Sequence, residues 1–229
     1  LSFMIMNSCS NHNTLSIGHR GAKGYVAENT YESISKAIEL NVDGIEIDVF
    51  KCASGELVLF HDEDLKKLTG ESGLIENLTM KELEQFLVLG KYKIPTLEEV
   101  LKKLEDPIFV NIELKGSNTA EATSKIIQYF VKNTSWGLEN FIVSSFNWLE
   151  LEQLRLINEN IPIGVLVGRS VSINEAIEFG KKINAQAIHP NYALLDDITV
   201  KKIKNNGFKI YTWTVNNIND INFMKKLKV

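Results

Sequence analysis

Short runs of β-branched and aliphatic residues alternate along this chain with longer stretches in which apolar residues recur at helical spacing. The short runs predict strands over residues 14–19, 44–50, 56–60, 108–114, 141–146, 163–167, 185–188 and 209–215. The longer stretches predict helices, most clearly over residues 30–40, 96–104, 122–132, 149–158, 173–182 and 197–205. Strands that alternate with helices favour parallel pairing, so we expect an α/β fold.

The number of strands bears on how the sheet closes. The 56–60 run follows the turn signal Ser54-Gly55 and is interpreted as one arm of a hairpin, which leaves seven βα units before the end at Val229. A TIM barrel has eight. The fold is therefore either an open doubly wound sheet or a (β/α)8-type barrel whose eighth strand lies beyond Val229. Because no Gly/Ser linker, repeat or low-complexity tract divides the chain, residues 1–229 are expected to form one domain.

Composition limits the classes of partner. Hydrophobic residues make up 44% of the 229 residues and charged residues 24%, which is typical of a globular protein with a sizeable core. The net charge of −4 and the lack of a long basic run argue against nucleic-acid binding. No apolar run reaches the roughly 18 residues of a membrane span, and the start lacks the basic flank of a secretory signal. Cys9 and Cys52 are expected to be reduced thiols of a cytoplasmic protein.

Three carboxylates are predicted to converge at the ends of neighbouring strands. Glu46 and Asp48 are two residues apart, so on a strand they point to the same side, and Glu113 comes from the next main strand. Like charges at that range repel unless a cation lies among them. Hard oxygen ligands select Ca²⁺ or Mg²⁺, with Mn²⁺ as a third candidate. The alternative is a set of salt bridges to Arg20 and Lys115, which is disfavoured because three carboxylates outnumber two cations.

Two histidines also end strands. A lone strand-end histidine is more often structural, but His19 and His61 end strands beside the carboxylate cluster, which favours a general acid and base. Arg20 and Lys115 are suited to neutralise a phosphate group. This set of residues points to cleavage of a phosphodiester, which needs one group to activate the nucleophile and one to protonate the leaving alkoxide.

The remaining candidates are less specific. His12 is expected to be solvated, and His189, at the end of a strand before Pro190, is expected at the rim without a catalytic role. Phe146 and Trp213 also end strands, where they form either part of the core or an aromatic wall that faces a substrate.

An ordered series of motifs resembles the glycerophosphodiester phosphodiesterase family over residues 17–216. The series is His19-Arg-Gly21, Glu28-Asn-Thr30, Gly44-Ile-Glu-Ile-Asp-Val49, Gly55-Glu-Leu-Val-Leu-Phe-His-Asp62, Ile94-Pro-Thr-Leu-Glu-Glu-Val-Leu101, Glu113-Leu-Lys115, Ser144-Ser-Phe146 and Trp213-Thr-Val-Asn216. Each tripeptide alone is weak evidence, whereas their common order is specific. The resemblance implies a TIM-barrel hydrolase that releases glycerol 3-phosphate and an alcohol.

The resemblance also implies a role for each matching position. It gives a divalent-cation site at Glu46, Asp48 and Glu113, an acid/base pair at His19 and His61, phosphate contacts at Arg20 and Lys115, and a rim position at Glu28, with Phe146 and Trp213 as further candidate substrate contacts. Residues 62–95 match the small insertion that family members carry after the second strand. Which histidine is the acid stays open, as does the nucleophile, which is water or the substrate's own glycerol hydroxyl.

One departure and two rival functions remain. The family's last strand resembles Asp-Gly-Ile-Ile-Thr-Asp-x-Pro, which would begin where this chain ends, so we expect the native protein to continue beyond Val229. Lysophospholipase D action would require an apolar groove lined from the insertion, around residues 78–89. A non-catalytic barrel that binds phosphate esters is disfavoured because every catalytic position is filled. The sequence does not predict the oligomeric state.

Overall fold

The computed structural model describes residues 14–229, so the predictions for Cys9, His12 and the apolar start lie outside the described residues. The strands in this part of the chain are β1 (Ile17–His19), β2 (Gly44–Lys51), β3 (Leu57–Leu59), β4 (Phe109–Leu114), β5 (Phe141–Ser145), β6 (Ile163–Val167), β7 (Ala187–Pro190) and β8 (Lys209–Ile210). The α-helices are α1 (Tyr31–Glu39), α2 (Lys66–Thr69), α3 (Met80–Leu83), α4 (Leu97–Lys103), α5 (Ala120–Asn133), α6 (Trp148–Ile157), α7 (Ile173–Lys182), α8 (Asp197–Asn205) and α9 (Ile218–Lys226). None of these helices is long and apolar enough to cross a membrane.

The strand order decides between the two architectures. The parallel strands follow one another as β1-β2-β4-β5-β6-β7-β8, and β3 pairs antiparallel with β2 as the predicted hairpin. A doubly wound sheet reverses its strand order at a switch point, whereas a TIM barrel keeps the order sequential. The sheet is therefore of the barrel type, with seven parallel strands among the described residues, as the sequence predicts.

The first and last strands face each other across a seam. Within residues 14–229, β1 and β8 share no ladder of backbone hydrogen bonds. Two side-chain contacts span the space between these parts of the chain instead. Thr14 Oγ1 donates to the Val229 carbonyl at 3.0 Å, and Thr214 Oγ1 lies 3.4 Å from His19 Nδ1.

Side-chain alternation along β2 places the polar residues inside the barrel. Ile45, Ile47 and Val49 are fully buried in the core between the sheet and the helices. Successive side chains of a strand point to opposite faces, so Glu46 and Asp48 point into the barrel. The apolar residues that anchor β2 thus also fix the direction of the two carboxylates.

Polar caps define where the helices begin. Thr30 accepts from the Ser33 N–H at the start of α1, and Thr96 and Glu99 form a reciprocal capping box at the start of α4. Helices α7 and α8 have the predicted bounds. Strand β8 covers Lys209–Ile210 instead of the predicted residues 209–215. It ends early because the backbone after Ile210 no longer continues the ladder with β7.

The insertion after β3 has a hydrophobic core of its own. Leu65, Ile75 and Leu83 are fully buried against Phe50 and Phe60 of the hairpin. Between β3 and α4 this segment carries α2, α3 and a short 3₁₀ turn, Ile75–Asn77. Its packed interior makes the insertion a compact element with little freedom to rearrange.

Candidate functional site

Three buried carboxylates meet inside the barrel. Asp48 and Glu113 are direct neighbours in the β2–β4 register, and Glu46 lies one pleat before Asp48. Each of the three offers an oxygen within 4.8 Å of the others. Among the described residues, Glu46 Oε1 and Asp48 Oδ1 have no hydrogen-bond partner although they are buried. Unpartnered buried oxygens are costly, so the cluster fits a bound cation.

Burial and the neighbouring charges raise the pKa values of Glu46 and Asp48. Burial, together with Asp48 and Glu113, raises the pKa of Glu46 well above its usual range. Burial and Glu113 raise the pKa of Asp48 to about 6. A divalent cation among these oxygens would favour their ionised form. The donor set consists of hard oxygens, which suits Ca²⁺, Mg²⁺ or Mn²⁺.

The salt bridges expected under the alternative interpretation are also present. Arg20 Nε lies 3.3 Å from Asp48 Oδ2, and Lys115 Nζ lies 2.8 Å from Glu113 Oε1. Glu46 Oε1 and Asp48 Oδ1 still have no hydrogen bond among the described residues, although Lys115 Nζ lies 3.9 Å from Asp48 Oδ1. Ion pairing therefore accompanies the candidate cation site rather than replacing it.

The loop after β1 holds the carboxylates in place. The Arg20 N–H donates to Glu46 Oε2 at 2.8 Å. Asn29 Nδ2 donates to Asp48 Oδ2 at 2.8 Å, and Asn29 Oδ1 accepts from the Asp48 N–H at 3.1 Å. Arg20 and Asn29 both have left-handed backbone conformations, with φ of 53° and 56°. Sequence reasoning missed Asn29, although Asn is enriched in this conformation and lies in the Glu28-Asn-Thr30 motif.

Glu28 pairs with Arg20. Glu28 Oε1 lies 2.6 Å from Arg20 Nη1, and both side chains are largely buried. The guanidinium group is therefore held between Glu28 and Asp48. A clamped guanidinium is pre-oriented for an oxyanion, since little side-chain freedom remains to be lost on binding.

His19 lies beside the carboxylate cluster at the end of β1. Its Nε2 is 3.8 Å from Glu46 Oε2. Burial, and then the charges of Lys23 and Arg20, lower the pKa of His19 to about 3, so its imidazole is neutral near pH 7. Lys23 is an exposed residue of the following loop that sequence reasoning did not single out.

His61 lies on the other side, where the hairpin enters the insertion. Its Nδ1 is 2.5 Å from Asp62 Oδ1, and its Nε2 is 3.4 Å from Lys115 Nζ. Burial lowers the pKa of His61, while Asp48 and the hydrogen bond to Asp62 act in the opposite direction. Asp62 also pairs with Lys67 Nζ at 3.0 Å. Asp62 and Lys67 were not among the predicted site residues.

Two aromatic side chains border the site. Phe146 packs edge-to-face on Trp213 with 5.3 Å between ring centroids, and Lys115 Nζ lies 5.8 Å from the Phe146 ring. Phe146 is 46% exposed, so it is not a core residue. The exposure of Phe146 favours an aromatic wall that faces a substrate over packing in the core, the two interpretations given for this pair. The Trp213 indole N–H is fixed by donation to the His189 carbonyl at 2.9 Å.

The expectation that His189 lies at the rim was wrong. Its side chain is buried, its Nε2 has no partner among the described residues, and it packs against Tyr211 with 5.1 Å between ring centroids. Burial lowers its pKa to about 3. The ring fills space beside Gly164, where a Cβ atom would overlap with it. His189 is therefore an interior packing residue of the barrel.

Comparison with known proteins identifies the family. The model of the "Glycerophosphoryl diester phosphodiesterase family" matches residues 19–229. A glycerophosphodiester phosphodiesterase of Caldanaerobacter subterraneus subsp. tengcongensis is 32% identical over 226 residues, covering 94% of this chain and 91% of that protein.

Solved structures agree with that match. A glycerophosphodiester phosphodiesterase of Thermotoga maritima has a TM-score of 0.77 at 29% identity, covering 94% of this chain and 92% of that one. An Oleispira antarctica phosphodiesterase, solved with the product sn-glycerol-3-phosphate, has a TM-score of 0.83 at 26% identity, with 93% and 90% covered.

The sequential parallel sheet is that of a TIM barrel, and the family match makes this barrel an enzyme of the phosphodiesterase class. The chain belongs to the glycerophosphoryl diester phosphodiesterase family.

Proposed function

We propose that this protein hydrolyses glycerophosphodiesters to glycerol 3-phosphate and an alcohol, using one divalent cation and two histidines. The observation that carries the proposal is the placement of His19 and His61. His19 lies beside Glu46 at one end of the carboxylate cluster, and at the other end His61 contacts Lys115, which pairs with Glu113. A phosphate group between them would have a proton acceptor and a proton donor within reach. The sn-glycerol-3-phosphate bound in the Oleispira antarctica structure is the product that this reaction would release, which supports the substrate class.

The cation is assigned to Glu46, Asp48 and Glu113. When bound, a divalent cation there would polarise the phosphoryl oxygens and share the charge that develops on them. The unpartnered oxygens of Glu46 and Asp48 support the assignment, because they are the atoms left free by the surrounding hydrogen bonds. Asn29 and Arg20 hold these carboxylates in position through the contacts described above.

The two histidines differ in their surroundings, which suggests separate roles. His19 is kept neutral by burial and by nearby cations, so it is available to accept the proton of the nucleophile. Burial lowers the pKa of His61 as well, but the contact between its Nδ1 and Asp62 opposes that effect, so we assign to His61 the role of donor to the leaving alkoxide. The nucleophile is water or the glycerol hydroxyl of the substrate.

Positive groups and aromatic rings complete the substrate contacts. Arg20, clamped by Glu28, and Lys115 are placed to bind the phosphate oxygens. Phe146 and Trp213 offer an apolar surface beside Lys115 for the carbon atoms of the glycerol or of the alcohol.

The direct test is release of glycerol 3-phosphate from glycerophosphocholine by the purified protein. The release should stop on addition of EDTA and return when excess Ca²⁺, Mg²⁺ or Mn²⁺ is added. Binding of the diester without release under all three cations would favour the non-catalytic barrel instead.

Lysophospholipase D action is the second candidate. Leu74, Leu87 and Leu89 of the insertion are 45%, 40% and 62% exposed, while Leu83 and Val88 of the same segment are buried. The exposed leucines are the part of the insertion available to an acyl chain. Lysophosphatidylcholine should therefore be offered in the same assay, with choline release as the measurement.

A further inference from the structure

At two separate points, side chains of the insertion contact residues that lie next to His61 and Lys115 in the chain. At the first, Lys67 of α2 pairs with Asp62, whose other carboxylate oxygen faces His61 Nδ1. At the second, Glu76 of the 3₁₀ turn accepts from the Ser117 N–H at 2.8 Å, two residues after Lys115. His61 and Lys115 in turn meet each other at 3.4 Å.

The second contact depends on a close approach of the two segments. The Glu76 carboxylate lies directly over Gly116, where a Cβ atom would be 2.6 Å from Glu76 Oε1 and 2.8 Å from the Phe50 ring. Only glycine leaves this space open. The backbone that follows Lys115 is thus held between the insertion and the hairpin.

The two contacts belong to one hydrogen-bonded unit. The Leu65 N–H donates to the Gly73 carbonyl at 3.0 Å, and the Ile75 N–H donates to the Glu63 carbonyl at 3.0 Å. Leu65 and Ile75 are both fully buried in the core of the insertion. Lys67 and Glu76 therefore follow closely after the two paired segments of one packed element.

We propose that the insertion positions the His61–Lys115 pair, with Lys67 acting through Asp62 on His61 and Glu76 acting through Ser117 on Lys115. Lys67 and Glu76 are positioning residues in this scheme, since neither reaches the reacting atoms. The Lys67–Asp62 contact also bears on the tautomer of the neutral ring, because a carboxylate at Nδ1 keeps the proton there and leaves Nε2 free to take up the proton that His61 would later donate. The expected effect on kcat rests on the proposed function. The expected effect on the orientation and tautomer of His61 does not.

The kinetic test uses the full chain with Lys67→Met and Glu76→Ala. Each should lower kcat for glycerophosphocholine by about three- to tenfold, the range between an exposed ion pair and a misplaced catalytic group. KM and Tm should stay near the wild-type values, because both side chains are exposed. Lys67→Arg should restore most of kcat, since it keeps the charge.

Two neighbouring substitutions serve as matched controls. Lys66→Met removes the adjacent exposed lysine of α2, which forms no ion pair in the described part of the chain, and Glu71→Ala removes an exposed carboxylate of the same insertion. Both should keep the wild-type kcat. If Lys67→Met and Glu76→Ala also kept it, or fell no further than the controls, the proposed positioning would be wrong.

A spectroscopic measurement separates this inference from the proposed function. In the wild-type protein with ¹⁵N-labelled histidine, the long-range ¹H–¹⁵N spectrum should show the neutral imidazole of His61 protonated at Nδ1. In Lys67→Met the same imidazole should be a mixture of the two tautomers. An unchanged tautomer would contradict the role of Lys67 even in an active enzyme. If the wild type cleaved no diester but the tautomer shifted, the proposed function would fail while the positioning of His61 would stand.

Discussion

Asn29 binds Asp48 through both ends of its amide group. The side-chain NH2 donates to the carboxylate of Asp48, and the side-chain oxygen accepts from the Asp48 backbone N–H. The left-handed backbone at Asn29 turns the amide towards β2. One oxygen of Asp48 is thereby occupied, and the other is left towards the carboxylate cluster.

Replacing Asn29 should weaken cation binding. Asn29→Gly keeps a residue that tolerates the left-handed conformation and removes only the amide group. The affinity for Ca²⁺ or Mg²⁺ should fall by about 10- to 100-fold, which is the usual effect of losing a partner of a ligating carboxylate. Titration calorimetry measures the change directly. An unchanged affinity would mean that Asp48 is held by other groups or does not bind the cation.

Removing either histidine should stop most of the turnover. His19→Ala and His61→Ala should each lower kcat by about 10²- to 10⁴-fold, the scale of general acid–base catalysis. Glycerol 3-phosphate release at saturating cation measures the effect, and circular dichroism verifies that the variants fold. Near-full activity of either variant would refute the two-histidine mechanism.

The stabilisation by a divalent cation should increase with pH. In the cation-free protein the pKa of Asp48 is raised from 3.8 to about 6, so the folded state holds protons more tightly than the unfolded chain. The stability from these protonated carboxyls is present below about pH 4 and is lost as the pH rises through about 6. A cation must displace these protons, so the difference in Tm with and without Ca²⁺ or Mg²⁺ should be larger at pH 8 than at pH 5. Asp48→Asn should make the difference in Tm depend less on pH. If the difference in Tm of the wild type did not change with pH, the cation would not bind at Glu46, Asp48 and Glu113.

Acid should destabilise the fold partly through His189. Burial lowers the pKa of His189 from 6.5 to about 3, so protons bind the unfolded chain more readily over that interval. The stability due to neutral His189 is present above pH 6.5 and is lost as the pH falls towards about 3, by up to about 1.4 kcal/mol per pH unit. His189→Gln should give a shallower decrease of the free energy of unfolding between pH 6.5 and 5. Equal slopes, measured by urea unfolding, would show that His189 is not the group responsible.

The carboxylates could be predicted from the sequence because their placement follows from strand geometry alone. Alternation along β2 puts Glu46 and Asp48 on one face, and pairing of β2 with β4 brings Glu113 beside Asp48. The parallel α/β class and the β2–β3 hairpin could likewise be predicted from the alternation of elements and the turn signal at Ser54-Gly55. These features depend on local periodicity, which a sequence displays directly.

Other features depend on contacts between segments that no local pattern reveals. The link between Asn29 and Asp48 requires a particular turn, and the contact between Glu76 and Ser117 joins residues 41 positions apart. His189 was misplaced because a strand-end position does not show whether the side chain points to solvent or into the barrel. The short β8 could not be predicted either, since pairing depends on the neighbours available to each strand.

The seam between β1 and β8 gives the two histidines unequal mechanical support. His61 is attached to a packed insertion, whereas His19 ends a strand that, within residues 14–229, has a backbone ladder with β2 alone. Local opening of a protein begins where the fewest backbone bonds must break. For the described part of the chain, moderate heating should therefore displace His19, the proposed proton acceptor, before His61, the proposed donor, and turnover should be lost at temperatures at which the overall helical content is still intact.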